Sequence, residues 1–87
     1  MMFVIKRDGR IDSFDKNKVS NAIKKAFIEV DGKISEKSEA IIDKIADEVA
    51  SAKKNKMSVE EIQDMVVNKL MATSRKDVAS RYVEYRY

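Results

Sequence analysis

The chain has 87 residues, enough for one small domain with a single modest core and too few for a conventional enzyme with its own substrate cleft. Hydrophobic residues at 44% and charged residues at 38% describe a folding domain, and 18 Lys and Arg against 15 Asp and Glu leave a formal charge of +3. The two signs interleave, which is weak support for nucleic-acid binding, and the absence of Cys and His excludes a Cys/His zinc site, a catalytic thiol, a histidine base and any disulfide. With no secretory signal and no membrane-length apolar run, a cytoplasmic location without membrane contact is expected.

Phe3-Val4-Ile5-Lys6 and Arg10-Ile11-Asp12 read as two short strands around Arg7-Asp8-Gly9, a tight reversal in which Gly9 supplies a positive φ. A lone two-stranded hairpin is marginal, so Phe3, Ile5 and Ile11 are expected to pack on the helices. From Asp15, a natural N-cap, the period becomes helical. Val19, Ala22, Ile23, Ala26, Phe27 and Val30 recur at three- and four-residue steps until Asp31-Gly32 stops the pattern.

A second helix is expected from Ser35 to about Lys53, burying Ile41, Ile42, Ile45, Val49 and Ala52, with Lys53-Lys54-Asn55-Lys56 as a polar connection. Ser58-Val59-Glu60-Glu61 is a capping box for a third helix, with Met57 and Ile62 as a hydrophobic staple and Met65, Val66 and Leu70 continuing the apolar face. Ser74 with Asp77 is placed to cap a fourth helix carrying Val78, Ala79, Tyr82, Val83 and Tyr85. No stop signal follows Tyr85-Arg86-Tyr87, so residues 1–87 are expected to form one domain at the N-terminal end of a longer chain.

Lys6 and Arg7 precede the hairpin turn, and Lys18 lies in the first turn of the helix that Asp15 caps. If the hairpin folds over that helix start, three cations converge on the positive end of a helix dipole, where a polyphosphate is well placed. Taken singly, the same residues are a pair of turn-flanking charges, a surface lysine and an ordinary N-cap. Tyr82, Tyr85 and Tyr87 likewise read as half-buried packing residues with their hydroxyls in water.

Three segments together resemble the ATP-cone, a small regulatory domain at the N-terminus of many ribonucleotide reductases. They are Val4-Ile5-Lys6-Arg7-Asp8-Gly9 with Phe14-Asp15 and Lys18, then Val59-Glu60-Glu61-Ile62-Gln63-Asp64-Met65-Val66, then Leu70-Met71 followed by Val78-Ala79 and Tyr82-Val83-Glu84-Tyr85-Arg86. Each is a weak match; their order and spacing over nearly the whole chain make a fairly specific one. Leu70-Met71 and the closing segment look most like the anaerobic, glycyl-radical branch.

The resemblance implies an α+β fold in which a short N-terminal β-hairpin forms a lid over a four-helix bundle, with ATP or dATP bound between them as allosteric effector and Mg²⁺ accompanying the triphosphate. Lys6, Arg7 and Lys18 match phosphate-contacting positions. Asp12 and Asp15 are the candidates for hydrogen bonds to the adenine amino group or ribose, Val4 and Val19 for apolar contact with the base, and Val59 and Gln63 for the ribose and phosphates. Val59 departs from members with a hydroxyl residue there; Ser58 could supply one only in competition with its capping role. The resemblance further implies that the domain senses the ATP to dATP ratio and switches a reductase on or off, its partners being the catalytic domain of the same chain and a neighbouring subunit. No residue here is expected to be catalytic or to ligate a metal.

Two other readings compete. One is a nucleic-acid-binding helical domain using Arg75, Lys76, Arg81 and Arg86; a related repressor of reductase genes carries the same domain, but attaches a cysteine-rich zinc ribbon for DNA. The other is a protein-interaction module that binds no nucleotide.

Overall fold

The computed structural model describes residues 2–52 and 54–84. In chain order the elements are β1 (Phe3–Ile5), β2 (Ile11–Ser13), α1 (Lys16–Asp31), α2 (Glu36–Ala50), β3 (Lys56–Ser58), α3 (Val59–Met71) and α4 (Lys76–Glu84). The fold is α+β, with a small three-stranded sheet and four helices.

The hairpin forms where the Asp-Gly pair places it. Gly9 takes φ 88°, a conformation that a side chain would disfavour, and its N–H donates to the Lys6 carbonyl at 2.9 Å while the Lys6 N–H donates to Arg10 at 2.8 Å. β1 and β2 pair antiparallel with Val4 opposite Asp12.

The sheet corrects the expectation of a free two-stranded lid. β3 pairs parallel with β1, so the strand order is β2-β1-β3 and β1 is held on both sides. α2 ends at Ala50, short of the expected Lys53, and the supposed polar connection becomes extended by Lys56. β1 offers an edge of unpaired backbone groups that this segment satisfies: the Phe3 N–H donates to the Asn55 carbonyl at 2.8 Å, and Met57, opposite Val4, is buried.

The pleat also overturns the expectation that Phe3 and Ile11 pack on the helices. Val4 faces the core, so its neighbours in the strand and Ile11, opposite Ile5, point the other way; Phe3 is 39% and Ile11 58% exposed. The same alternation puts Val4, Lys6 and Asp12 on the helix side of the hairpin.

The helices begin where short polar side chains accept otherwise unpaired amides. The Asp15 carboxylate takes the Asn17 N–H at 2.9 Å, and the Ser35 and Ser58 hydroxyls take the Ser38 and Glu61 N–H groups at 3.1 Å each. Gly32, at φ 77°, closes α1 by donating to the Ile28 carbonyl at 2.7 Å. α4 starts differently from expectation: Ser74 precedes it, but Thr73 accepts the Arg75 N–H at 3.0 Å and Asp77 accepts the Val78 N–H at 2.8 Å.

α1 packs against α2 and α4, and α3 against the same two helices. Ile23, Phe27, Ile42, Val49, Val66 and Leu70 have no exposed surface and form the centre, as the helical periods anticipated. Arg75 fastens α4 to the far end of α1. Its guanidinium donates to both Asp31 oxygens at 2.6 and 2.9 Å, reaches Asp77 at 3.2 Å, and lies 5.4 Å from the centre of the Phe27 ring.

Candidate functional site

A cavity of about 260 Å³ opens between the hairpin and the helices. Its lining follows from local geometry. The inner hairpin face contributes Val4, Lys6 and Asp12, and the segment entering α1 adds Ser13, Phe14 and Asp15. One stripe of α1 supplies Lys18, Val19 and Ala22, which are neighbours at three- and four-residue steps, and α3 supplies Val59, Ile62 and Gln63 at the same spacing. Tyr82 of α4 completes the wall.

Polarity divides this cavity. Lys6, Asp12, Asp15 and Lys18 are exposed or nearly so, whereas Val19, Ile62 and Tyr82 are buried. The outer part is therefore a charged rim and the inner part an apolar floor. Both α1 and α3 present their first turns to it, which adds the partial positive charge of two helix N-termini to the two lysines.

The acidic members of the rim are engaged. Asp12 accepts the Ser13 N–H at 3.0 Å and faces the Lys6 ammonium at 3.3 Å. The Ser13 amide and then Lys6, aided by the charge of Lys18, hold the Asp12 carboxyl below the usual carboxylate range. Asp15 is committed to capping α1. The side-chain oxygen of half-buried Gln63, by contrast, is buried and has no hydrogen-bond partner among the described residues.

Eight of the nine residues singled out from the sequence, Val4, Lys6, Asp12, Asp15, Lys18, Val19, Val59 and Gln63, thus border one cavity. Arg7 is not among them. It belongs to the turn, and its guanidinium pairs with Glu60 of α3 at 3.2 Å. Ser58 spends its hydroxyl on the α3 cap, so it does not stand in for a hydroxyl at Val59. Ser13 and Phe14 fall within the segment from Asp12 to Lys18 that the resemblance wraps around the nucleotide, whereas Ala22, Ile62 and Tyr82 were not anticipated as lining residues. Ala22, Ile62 and Tyr82 carried only the periodic signal of a core position, which is the same for a side chain packed on protein and for one lining a hollow. Tyr85, Arg86 and Tyr87 lie outside the described residues.

Among the described residues no group of three or more carboxylates could hold a metal ion. Any Mg²⁺ here would depend on phosphate oxygens and water for its ligands. No helix is long and apolar enough to cross a membrane.

The sequence matches the ATP cone domain family over residues 2–87, and the chain belongs to that family, whose members bind ATP or dATP as allosteric effectors. It is 42% identical over 89 aligned residues to a vitamin B12-dependent ribonucleoside-diphosphate reductase of Thermoplasma acidophilum, covering 95% of this chain and 11% of that protein. It is 34% identical to an anaerobic ribonucleoside-triphosphate reductase of Haemophilus influenzae, covering 97% of this chain and 12% of that enzyme. A transcriptional repressor, NrdR, of Caldicellulosiruptor bescii is 38% identical over 69 residues, covering 79% of this chain and 44% of the repressor. The chain therefore spans about a ninth of the length of the two reductases.

Proposed function

We propose that this domain receives ATP or dATP in the cavity between hairpin and helices and controls the overall activity of a ribonucleotide reductase of which it forms the N-terminal regulatory part. The observation that carries this reading is the division of the cavity into a rim with Lys6 and Lys18 and an apolar floor, which suits a triphosphate at one end and a base at the other. In this reading Val4 and Val19 touch the base or sugar, Val59 presents the start of α3, and Asp12 and Asp15 order the rim cations and the α1 terminus. Arg7 could join the phosphates only by leaving Glu60. Mg²⁺ travels with the nucleotide.

The closing segment of the sequence favours an anaerobic ribonucleoside-triphosphate reductase as the parent, acting through the catalytic domain of the same chain and a neighbouring subunit in the cytoplasm. The 38% identity to a transcriptional repressor supports a second reading, a nucleotide-responsive repressor domain. Against direct DNA contact through α4, Arg75 is bound to Asp31 and Asp77, and Arg81 to Glu29 and Glu84.

Calorimetric titration with ATP, dATP and GTP tests the nucleotide reading. ATP and dATP should bind in the micromolar range and GTP about tenfold more weakly, roughly 1.4 kcal/mol. Equal binding of GTP would remove the adenine assignment, and no heat with any of the three would remove the nucleotide.

A further inference from the structure

We infer that Glu60 is a competitor built into the domain: its carboxylate holds Arg7 at the mouth of the ligand-free cavity, and a bound triphosphate takes the guanidinium from it. This rests on the proposal that a nucleoside triphosphate occupies the cavity, and it adds an autoinhibitory contact that sets how much nucleotide the site requires.

The contact joins two banks of the opening. Arg7 follows Lys6 and Glu60 follows Val59, and Lys6 and Val59 both line the cavity, so the Arg7–Glu60 pair at 3.2 Å ties the hairpin turn to the first turn of α3 beside the charged rim. Each hairpin cation at the mouth is matched by a carboxylate, Lys6 by Asp12 at 3.3 Å and Arg7 by Glu60, whereas Lys18 forms no ion pair among the described residues. The two helix starts differ in the same sense. α1 has no acidic residue in its first turn, but α3 has Glu60 and Glu61, the latter bound to Lys54 at 2.9 Å, so α3 meets an anion with its own carboxylates already in place. Lys6 and Asp12 share the hairpin, and their pair leaves its position free; Arg7–Glu60 spans from hairpin to helix. That pair is also easily exchanged. The two side chains are 54% and 48% exposed, which makes their attraction weak, and a triphosphate offers a guanidinium more oxygens and more charge than one carboxylate does.

The test is a calorimetric double-mutant cycle with ATP on the wild-type chain, Glu60→Gln, Arg7→Gln and the double variant. Both residues are exposed, so all four proteins should fold and unfold at similar temperatures. Glu60→Gln should bind ATP about two- to fivefold more tightly than the wild type, the range for an exposed ion pair, and the same substitution should give little or no gain once Arg7 is replaced. Unchanged or weaker binding by Glu60→Gln would show that Arg7 stays with Glu60 when nucleotide is bound, and an equal gain with and without Arg7 would show that Glu60 merely repels phosphate. Either result overturns the competitor and leaves the nucleotide reading standing. If none of the four binds ATP, the nucleotide reading fails and this inference with it.

Discussion

Filling the cavity from α1 should strengthen the fold and abolish the ligand site together. Ala22 is half-buried, lies one turn beyond Lys18 and borders the hollow. Ala22→Leu adds three carbons, and burial of each is worth about 0.8 kcal/mol, so up to roughly 2 kcal/mol of stability is available. The penalty usual for overfilling a packed core does not arise where about 260 Å³ is open to receive the side chain. A domain of this size shifts its melting temperature by roughly 4–8 °C per kcal/mol, so the ligand-free variant should melt several degrees above the wild type. ATP at about a hundred times its dissociation constant should stabilise the wild type by roughly 2.7 kcal/mol, a rise of more than about ten degrees, and should leave Ala22→Leu unmoved. Thermal unfolding followed by circular dichroism, with and without ATP, reads both effects. A variant that is stabilised yet keeps the full ATP shift would place the nucleotide elsewhere, and one that is strongly destabilised would mean that no hollow exists beside Ala22.

Lys6→Ala and Lys18→Ala should each weaken ATP binding by about 1.5–3 kcal/mol, the range for a lost charge-assisted hydrogen bond, while Lys37→Ala on the exposed face of α2 leaves calorimetric affinity unchanged; equal losses at Lys6 and Lys37 would contradict the rim assignment. In hydrogen exchange, ATP should protect amides of the turn and β2, from Lys6 to Ser13, more than those of β1, which is already paired on both sides, or of α2; uniform protection would mean that ligand stabilises the fold as a whole. Hydrogen bonds from Arg75 hold the Asp31 and Asp77 carboxyls below their ordinary value of 3.8. A depressed carboxylate contributes stability that is complete above its unfolded pKa and is lost as pH falls through the lower folded value. The melting temperature should therefore drop on acidification below about pH 4, and Arg75→Met should flatten that limb. An acid limb of the same depth in Arg75→Met would show that other carboxylates produce it.

Local rules carried the reading of the helices a long way, because capping and periodicity are written in neighbouring residues. Asp15, Ser35 and Ser58 cap as their identities suggest, and Gly32 ends α1. What escaped was non-local. β3 is three residues long, too short for an alternating pattern, and exists because the edge of β1 lies beside it. The outward direction of Phe3 and Ile11 depends on which strand face Val4 turns to the core, a choice that two three-residue strands do not announce. Spacing was enough to bring Lys6 and Lys18 to one place, while Asp12, Val59 and Gln63 joined them only through the resemblance to the ATP-cone. It could not distinguish Tyr82 or Ile62 lining a hollow from the same residues filling a core, nor foresee that Arg7 would be drawn to Glu60.

The most direct test is a titration of the ¹⁵N-labelled domain with ATP, followed residue by residue in ¹H–¹⁵N correlation spectra. Binding in the cavity should move the amides of Val4, Lys6, Ser13, Lys18, Val19 and Gln63 together along one saturating isotherm, and leave the outer face of α2 around Lys37 in place. Perturbations centred on α2, or spectra unchanged at millimolar ATP, would contradict the assignment of this cavity as the nucleotide site.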